Sequence, residues 1–344
     1  MRNRRWVLAR RPNGLSVADD FRFEDDRDYR PPQLNPGQIL IRNIAFLCAP
    51  TIRNWMDEAG NSYFPSIPLG APVRGPCAAI VIGSASDSFP VGARICTIGN
   101  WADYDIVSPE QALVRHIPED CSFIDALGLL GLNSITAYIG LCELAGPCAG
   151  ETVLVSGAAG SVGSTAVQIA KILGCRVIGT AGGRQKCDEL IARGWVDHCI
   201  DYKTEQVSES LRRLAPQGID IYFDNVGGPT LQAAIDNMAR RGRITLCGQI
   251  SGYNGPDDEN RIGNLMRLVY GGISMRGFLA SMYSHLFPQA VASLRSWHQE
   301  GRLQHRVDLR TGFQILPSTL NALFEGTNNG TLIVRAADDN GVAF

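Results

Sequence analysis

The sequence predicts an α/β protein in two parts, a β-rich, barrel-like domain and a doubly wound domain on a parallel sheet. Three observations predict it. Short apolar runs broken by turn residues fill residues 1–120, strands alternate with helices across 121–299, and β character returns over 300–344. The 344 residues suffice for two domains of roughly 100–200 residues each. The tail that regains strand character is expected to complete the first domain.

The first domain opens with RRWVLAR at 4–10. It continues through QILIRNIAFL at 38–47, after the turn LNPG, and PCAAIVIGSA at 76–85. ARICTIGN at 93–100 follows the turn FPVG. Strands at this spacing with few helical stretches suggest a barrel. The period then changes. SFIDALGLLGLNSITAYIGLCELAG, 122–146, places apolar residues at helical spacing. A regular alternation follows. TVLVSG is a strand, SVGSTAVQIAKILG a helix closed by Gly174, and RVIGT a strand. QKCDELIARG is a helix, DHCIDY a strand, VSESLRRLAP a helix and IDIYFDN a strand. TLQAAIDNMARRG, 230–242, is a helix and RITLCG, 243–248, a strand. Strands that alternate with helices of about 10–15 residues mean βαβ units and a parallel sheet. In the tail, HRVDLRTGF and TLIVRA are strands flanking the helix LPSTLNALFEG.

Composition excludes several functions. With 32 Lys+Arg against 34 Asp+Glu, the net charge of −2 argues against a general electrostatic grip on nucleic acid or on an anionic membrane. No apolar run reaches the roughly 18 residues of a membrane span. The basic start MRNRRWVLARR lacks the apolar core of a secretory signal, so the expected location is cytoplasmic. The ten cysteines include no C-x-x-C pair, and most sit in apolar runs. They are expected as small buried hydrophobes in a reducing compartment.

One motif carries chemistry. The strand TVLVS runs into Gly157-Ala158-Ala159-Gly160-Ser161-Val162-Gly163, and a helix opens there. A dinucleotide pyrophosphate must approach backbone N–H groups at a helix N-terminus, where any Cβ would obstruct it. Strand before and helix after are the confirming context. An acidic residue about 20 positions on would hold the ribose diol of NAD. That place reads Thr180-Ala181-Gly182-Gly183-Arg184-Gln185-Lys186, with no acid. Lysine or arginine pairs with a 2′-phosphate where a carboxylate would repel it. NADPH is therefore the expected cofactor, with Lys186 and Arg184 near its phosphate.

These residues resemble the zinc-independent medium-chain reductases, in the branch of prostaglandin reductases, plant alkenal double-bond reductases and bacterial curcumin reductase. The resemblance spans nearly the whole chain. Its carriers are LLGLNSITAY at 129–138, GAAGSVG at 157–163, DYKT at 201–204, DNVGG at 224–228 and CGQISGYN at 247–254. It implies a GroES-like catalytic domain and a Rossmann domain, with NADPH held in the cleft between them. Carried over by position, Thr136, Gly160, Ser161, Val162 and Gly163 are cofactor contacts. Lys186 and Tyr202 lie near the 2′-phosphate, and Asn225 follows the fourth strand. Cys247, Gly248, Ile250 and Ser251 run along the nicotinamide half. Phe278, Leu279 and Ala280 pass over the nicotinamide, and Asn328 belongs to a C-terminal motif. Tyr253 is the tyrosine beside the substrate. Thr51 and Arg53 fall where the family's early substrate-lining motif stands.

The chain departs from the family twice. A tyrosine of that early motif is Thr51 here, which predicts a pocket of different shape. The lysine of the C-terminal motif is Thr331. No zinc is expected, because residues 69–75 read LGAPVRG and supply no Cys or His ligand. Asp224 ends a buried strand, where it serves either the site or the neighbouring turn as an acceptor.

The resemblance implies reduction of a C=C bond conjugated to a carbonyl, with a small enone or enal as partner and a monomer or homodimer as the assembly. Hydride reaches the β-carbon, and the Tyr253 hydroxyl, neutral at pH 7 with a pKa near 10, donates to the developing enolate. Two other readings stand beside it: a zinc-free NADPH quinone reductase, and an NADPH-binding protein without turnover.

Overall fold

The computed structural model describes residues 1–58, 64–110, 112–250 and 262–340. Its chain contacts form two units, Met1–Gly128 with Val307–Phe344, and Leu129–Arg306. In chain order the first unit begins with β1 (Asn3–Leu8), β2 (Phe21–Asp26), β3 (Ile39–Leu47), β4 (Arg74–Ser84), β5 (Arg94–Asn100), β6 (Tyr104–Val107) and β7 (Arg115–His116). The second unit contributes β8 (Thr152–Val155), β9 (Arg176–Ala181), β10 (His198–Asp201), β11 (Ile219–Asp224), β12 (Met238–Leu246) and β13 (Ser274–Gly277). The chain closes with β14 (Val307–Thr311) and β15 (Thr331–Arg335).

In the first unit, β1 and β2 form an antiparallel ribbon, and a seven-stranded sheet runs β14-β15-β3-β4-β5-β7 with β6 on β3. Strand β3 is buried along its whole length, so the polar Arg42 and Asn43 within it need internal partners. Asn43 Nδ2 donates to the carbonyls of Asn100 and Ala102 at 3.2 and 2.9 Å. Arg42 Nη1 lies 2.8 Å from Asp103 Oδ1. The same carboxylate accepts from the backbone N–H, Nε and Nη2 of Arg4, each at 2.9 Å. All three side chains are at most 5% exposed. The Arg4 and Arg42 guanidinium groups lie 5.0 and 4.8 Å from the rings of Phe313 and Tyr104. A buried carboxylate thus ties β1, β3 and the turn before β6 together.

The second unit is a six-stranded parallel sheet in the order β10-β9-β8-β11-β12-β13. Its inner strands read as continuous apolar runs because helices cover both faces. Val153, Leu154, Val155, Ile178 and Phe223 are all fully buried.

One element differs from expectation. The helix after β11 ends at Asp236, and Met238–Leu246 is strand, whereas helical spacing extended the helix through 242. Asn237 closes the helix, its Nδ2 donating to Ala233 O at 2.7 Å. Met238 then pairs with Ile219 of β11, and a register shift follows before Ile221. Gly218 permits this, since a Cβ there would sit 2.6 Å from Ala239 N. An apolar Met238 suits a helix face and an inner strand face alike; pairing with β11 decides between them.

Side-chain contacts set the unit boundaries. The helix Phe123–Leu127 stays with the first unit: Arg94 lies over the Phe123 ring at 4.4 Å, and Arg115 donates to Ala126 O at 2.7 Å. Residues up to 306 stay with the second. Gln168 and Gln304 exchange two hydrogen bonds, Leu303 is buried, and Arg306 pairs with Glu189.

Candidate functional site

Strand β8 ends at Val155, and the helix Ser161–Ile172 begins after the cap residue Gly160. The three glycines of the loop have three separate reasons. Gly157 adopts φ +59°, the left-handed region that glycine alone enters without steric cost. A Cβ on Gly163 would lie 2.1 Å from the Gly157 carbonyl oxygen, and one on Gly160 would lie 3.2 Å from it. The absent Cβ of Gly163 therefore makes room for the loop's own backbone. That differs from the sequence-based reason, in which every missing Cβ made room for the ligand. Gly160 provides no side-chain cap, so the first-turn N–H groups depend on an anion or water. Asn133 Nδ2 donates to Ser161 Oγ at 2.9 Å and ties Leu132–Tyr138 to this end.

Sheet order reverses between β8 and β11, and in open α/β sheets ligands bind at such a switch point, outside the carboxyl ends of the strands. Asn225 and Asp224 shape this edge. Asn225 Nδ2 donates to Ser156 O at 2.7 Å, and Ser156 Oγ accepts from Asn225 N at 2.9 Å. Asp224 Oδ1 accepts from Ser156 Oγ, Tyr222 Oη, Val226 N and Gly227 N at 2.6–3.0 Å. Asp224 is thus the acceptor for its turn, while Oδ2 is buried with no hydrogen-bond partner among the described residues.

A cleft of about 520 Å³ opens here, walled by Asp224, Leu246, Cys247, Gly248, Phe278 and Leu279. Burial, with Asp224 nearby, pushes the Cys247 thiol up to about 12, so it stays protonated. Gly140, in the π-turn Ile139–Ala145, lets Phe223 and Phe278 close in; a Cβ there would sit 2.5 and 2.6 Å from their rings. Phe278 and Ala280 are buried and Leu279 half-buried. Ile250 N donates to Asn225 O at 3.3 Å.

At the end of β9 the chain makes a cationic corner. A Cβ on Gly182 would strike the Tyr202 hydroxyl at 2.5 Å and lie 3.2 Å from Lys203 Cε. Burial first, then the charges of Lys203 and Arg306, lower the Lys186 ammonium pKa, which puts three cations in one field. Asp201 fixes the corner by accepting from Gly183 N at 2.8 Å and Lys203 N at 3.1 Å. The Gly183 bond leads the effects that hold its carboxyl below the usual range. Burial, then Asp201, raises the Tyr202 phenol, which remains a donor. Lys203 and Arg306 were not singled out from sequence, although Lys203 sits inside the DYKT motif. Arg184 is largely exposed and paired with Asp188.

The other predicted residues are placed as follows. Thr136 Oγ1 donates to Leu132 O at 2.7 Å within its own helix. Asn328 Nδ2 donates to Gly330 O at 2.9 Å, and Thr331 begins β15, buried. Thr51 starts the helix Thr51–Trp55. Arg53, 5% exposed at its side chain, donates to Gly14 O and Pro12 O and pairs with Asp57, so its guanidinium is engaged within the first unit. Ser251 and Tyr253 lie outside the described residues.

A glycine-built helix start at the switch point of a parallel sheet is a dinucleotide cradle, and it makes the class a dinucleotide-binding α/β protein. Comparison with known proteins narrows this. Residues 161–296 match the family described as zinc-binding dehydrogenase, and residues 4–115 match the N-terminal domain of oxidoreductase. The chain is 34% identical to the NADPH-dependent curcumin reductase of Escherichia coli over 98% of each chain. It is 37% identical to the NADP⁺-dependent 2-alkenal reductase of Nicotiana tabacum, over 97% of this chain and 98% of that one. The structure of CurA from Vibrio vulnificus in complex with NADPH superposes with a TM-score of 0.86 at 33% identity, covering 96% and 98% of the two chains. The chain belongs to the zinc-binding dehydrogenase family, in the medium-chain reductase branch of curcumin, alkenal and prostaglandin reductases. Despite the family's description, no three His, Cys, Asp or Glu side chains among the described residues group as metal ligands. No helix among them is long and apolar enough to cross a membrane.

Proposed function

We propose that this protein is an NADPH-dependent reductase of the C=C bond in α,β-unsaturated carbonyl compounds. The observation that carries the reading is the corner at the end of β9. The Tyr202 hydroxyl and Lys203 lie over Gly182, and the Lys186 ammonium shares their field with Arg306, where an NAD-specific site would place an acid. The names of the curcumin and alkenal reductases that the chain resembles supply the substrate class. Gly160 to Gly163 hold the pyrophosphate on the helix N-terminus, and the cleft beside Cys247 and Phe278 takes the nicotinamide half. The nicotinamide, when bound, supplies hydride.

This chain's own work is electrostatic. As hydride reaches the β-carbon, charge builds on the carbonyl oxygen, and the Tyr253 hydroxyl donates to it. Such a donor lowers the barrier by about 3–4 kcal/mol. The α-carbon proton comes from the same hydroxyl or from water. Thr51 selects among substrates, and Arg53 braces the helix that carries it.

Tyr253→Phe is expected to lower kcat by about 10²–10³-fold while leaving the KM for NADPH unchanged. Turnover of an enone within about twofold of wild type would remove Tyr253 from the donor role. Lys186→Ala is expected to raise the KM for NADPH about tenfold or more, by loss of a charge-assisted contact, and to leave NADH kinetics almost untouched. Equal losses with both cofactors would overturn the phosphate assignment. A parallel assay with an enone and a quinone separates this activity from quinone reduction.

A further inference from the structure

All ten cysteines are free thiols, and two of them meet. Cys199 Sγ donates to Cys187 Sγ across 2.8 Å. Cys187 lies in the helix Arg184–Ala192, directly after Lys186. Cys199 lies in β10, two residues before Asp201. The sulfurs therefore join the two chain segments that carry the cationic corner, next to the Asp201 carboxylate that clips Gly183 to Lys203. The bond from Cys199 lowers the Cys187 thiol and raises that of Cys199, so Cys187 supplies the thiolate. Cys187 is buried and Cys199 half-buried.

We propose that Cys187 and Cys199 form a reversible oxidation site, closed to a disulfide by hydroperoxides, whose closure loosens the grip on the 2′-phosphate of NADPH; the second half rests on the cofactor reading above. In the first step Cys187 Sγ attacks a peroxide oxygen. An S–O bond forms, the O–O bond breaks, and water, or the alcohol of an organic hydroperoxide, leaves with the thiol proton. Cys199 Sγ then attacks the sulfenic sulfur. The S–S bond forms, the S–O bond breaks, and a second oxygen leaves as water with the Cys199 proton. Two thiols lose two electrons and two protons, and the hydroperoxide is reduced. A disulfide spans about 2.0 Å, so the sulfurs must approach by about 0.8 Å from 2.8 Å and turn to a dihedral near 90°. The helix start bearing Lys186 and the strand end leading to Tyr202 and Lys203 move with them.

The test treats the protein with hydrogen peroxide and maps its peptides without reduction by mass spectrometry. The expected product is a Cys187–Cys199 linked pair, lighter by two hydrogens, reopened by dithiothreitol and absent from Cys199→Ser. Fluorescence titration of the linked protein is expected to show an NADPH Kd raised about tenfold, with the NADH Kd unchanged and Cys187→Ser, which lacks the attacking thiol, insensitive to peroxide. Absence of the linkage at peroxide concentrations that leave the protein folded, or a linkage to different partners, overturns the site. Linked protein that binds NADPH as the reduced protein does overturns the coupling. An untreated protein without preference for NADPH over NADH defeats the cofactor reading and the coupling, and leaves the linkage result standing.

Discussion

Replacing Gly163 by alanine is expected to destroy NADPH binding and to destabilise the second unit. In an open helix the same change would stabilise by about 0.5–1 kcal/mol, because glycine has the larger backbone entropy to lose. Here the sign reverses. The new methyl would lie 2.1 Å from the Gly157 carbonyl oxygen, 2.8 Å from its carbon and 2.9 Å from Ala158 Cα. Backbone cannot swing aside as a side chain does. The loop is also anchored, since Gly160 N donates to Gly157 O and Ala158 N to Thr180 O, both at 2.9 Å. Overpacking of this kind costs about 1–3 kcal/mol, and displacing the loop by about 1 Å would cost about a hundredfold in binding. Calorimetric titration with NADPH and urea unfolding measure the two effects. Gly160→Ala is the matched control, because its methyl would stand 3.2 Å from the same oxygen and its backbone is extended. It should fold nearly normally and lose affinity only through the ligand. A Gly163→Ala protein that binds NADPH within about twofold of wild type would refute the packing account.

Asp103→Ala is expected to cost the first unit about 3–5 kcal/mol, the range for removing one partner from a buried ion pair. The loss is large because Arg4 and Arg42 stay behind, nearly inaccessible, with their principal counter-charge gone. Urea unfolding followed by tryptophan fluorescence reads it, since Trp55 and Trp101 are buried in the first unit. The same carboxylate predicts an acid limit. Burial raises its pKa, but hydrogen bonds from Arg4 and Arg42 outweigh that and hold it below the ordinary aspartate value. Its contribution is therefore complete above the unfolded pKa of about 3.9. It fades as pH falls through the lower folded value. Asp103→Ala should flatten that part of the acid-unfolding curve, and an unchanged curve would show that Asp103 does not set it.

Much of the second unit was legible in sequence. The strand–helix alternation from TVLV to IDIYFD needs only local rules: apolar runs of strand length, amphipathic helices, and Gly174 at φ +79° after a helix end. The glycine loop was legible for the same reason. The start of β12 was not, because Met238 satisfies either periodicity until β11 pairs with it. The cationic corner was half legible. Lys186 follows from the missing acid, whereas Lys203 and Arg306 reach it from elsewhere in the chain. Asp103 was invisible, since its partners are 99 and 61 positions away in sequence, at Arg4 and Arg42.

What sequence by itself determined was the order of strands and helices from β8 to β11 and the position of the phosphate loop, because these depend on backbone freedom and apolar period within a few residues. The tertiary structure alone decided which glycine yields to ligand and which to the loop's own carbonyl, which cations converge, and which thiols touch. Those outcomes depend on distances between segments remote along the chain, which only packing sets.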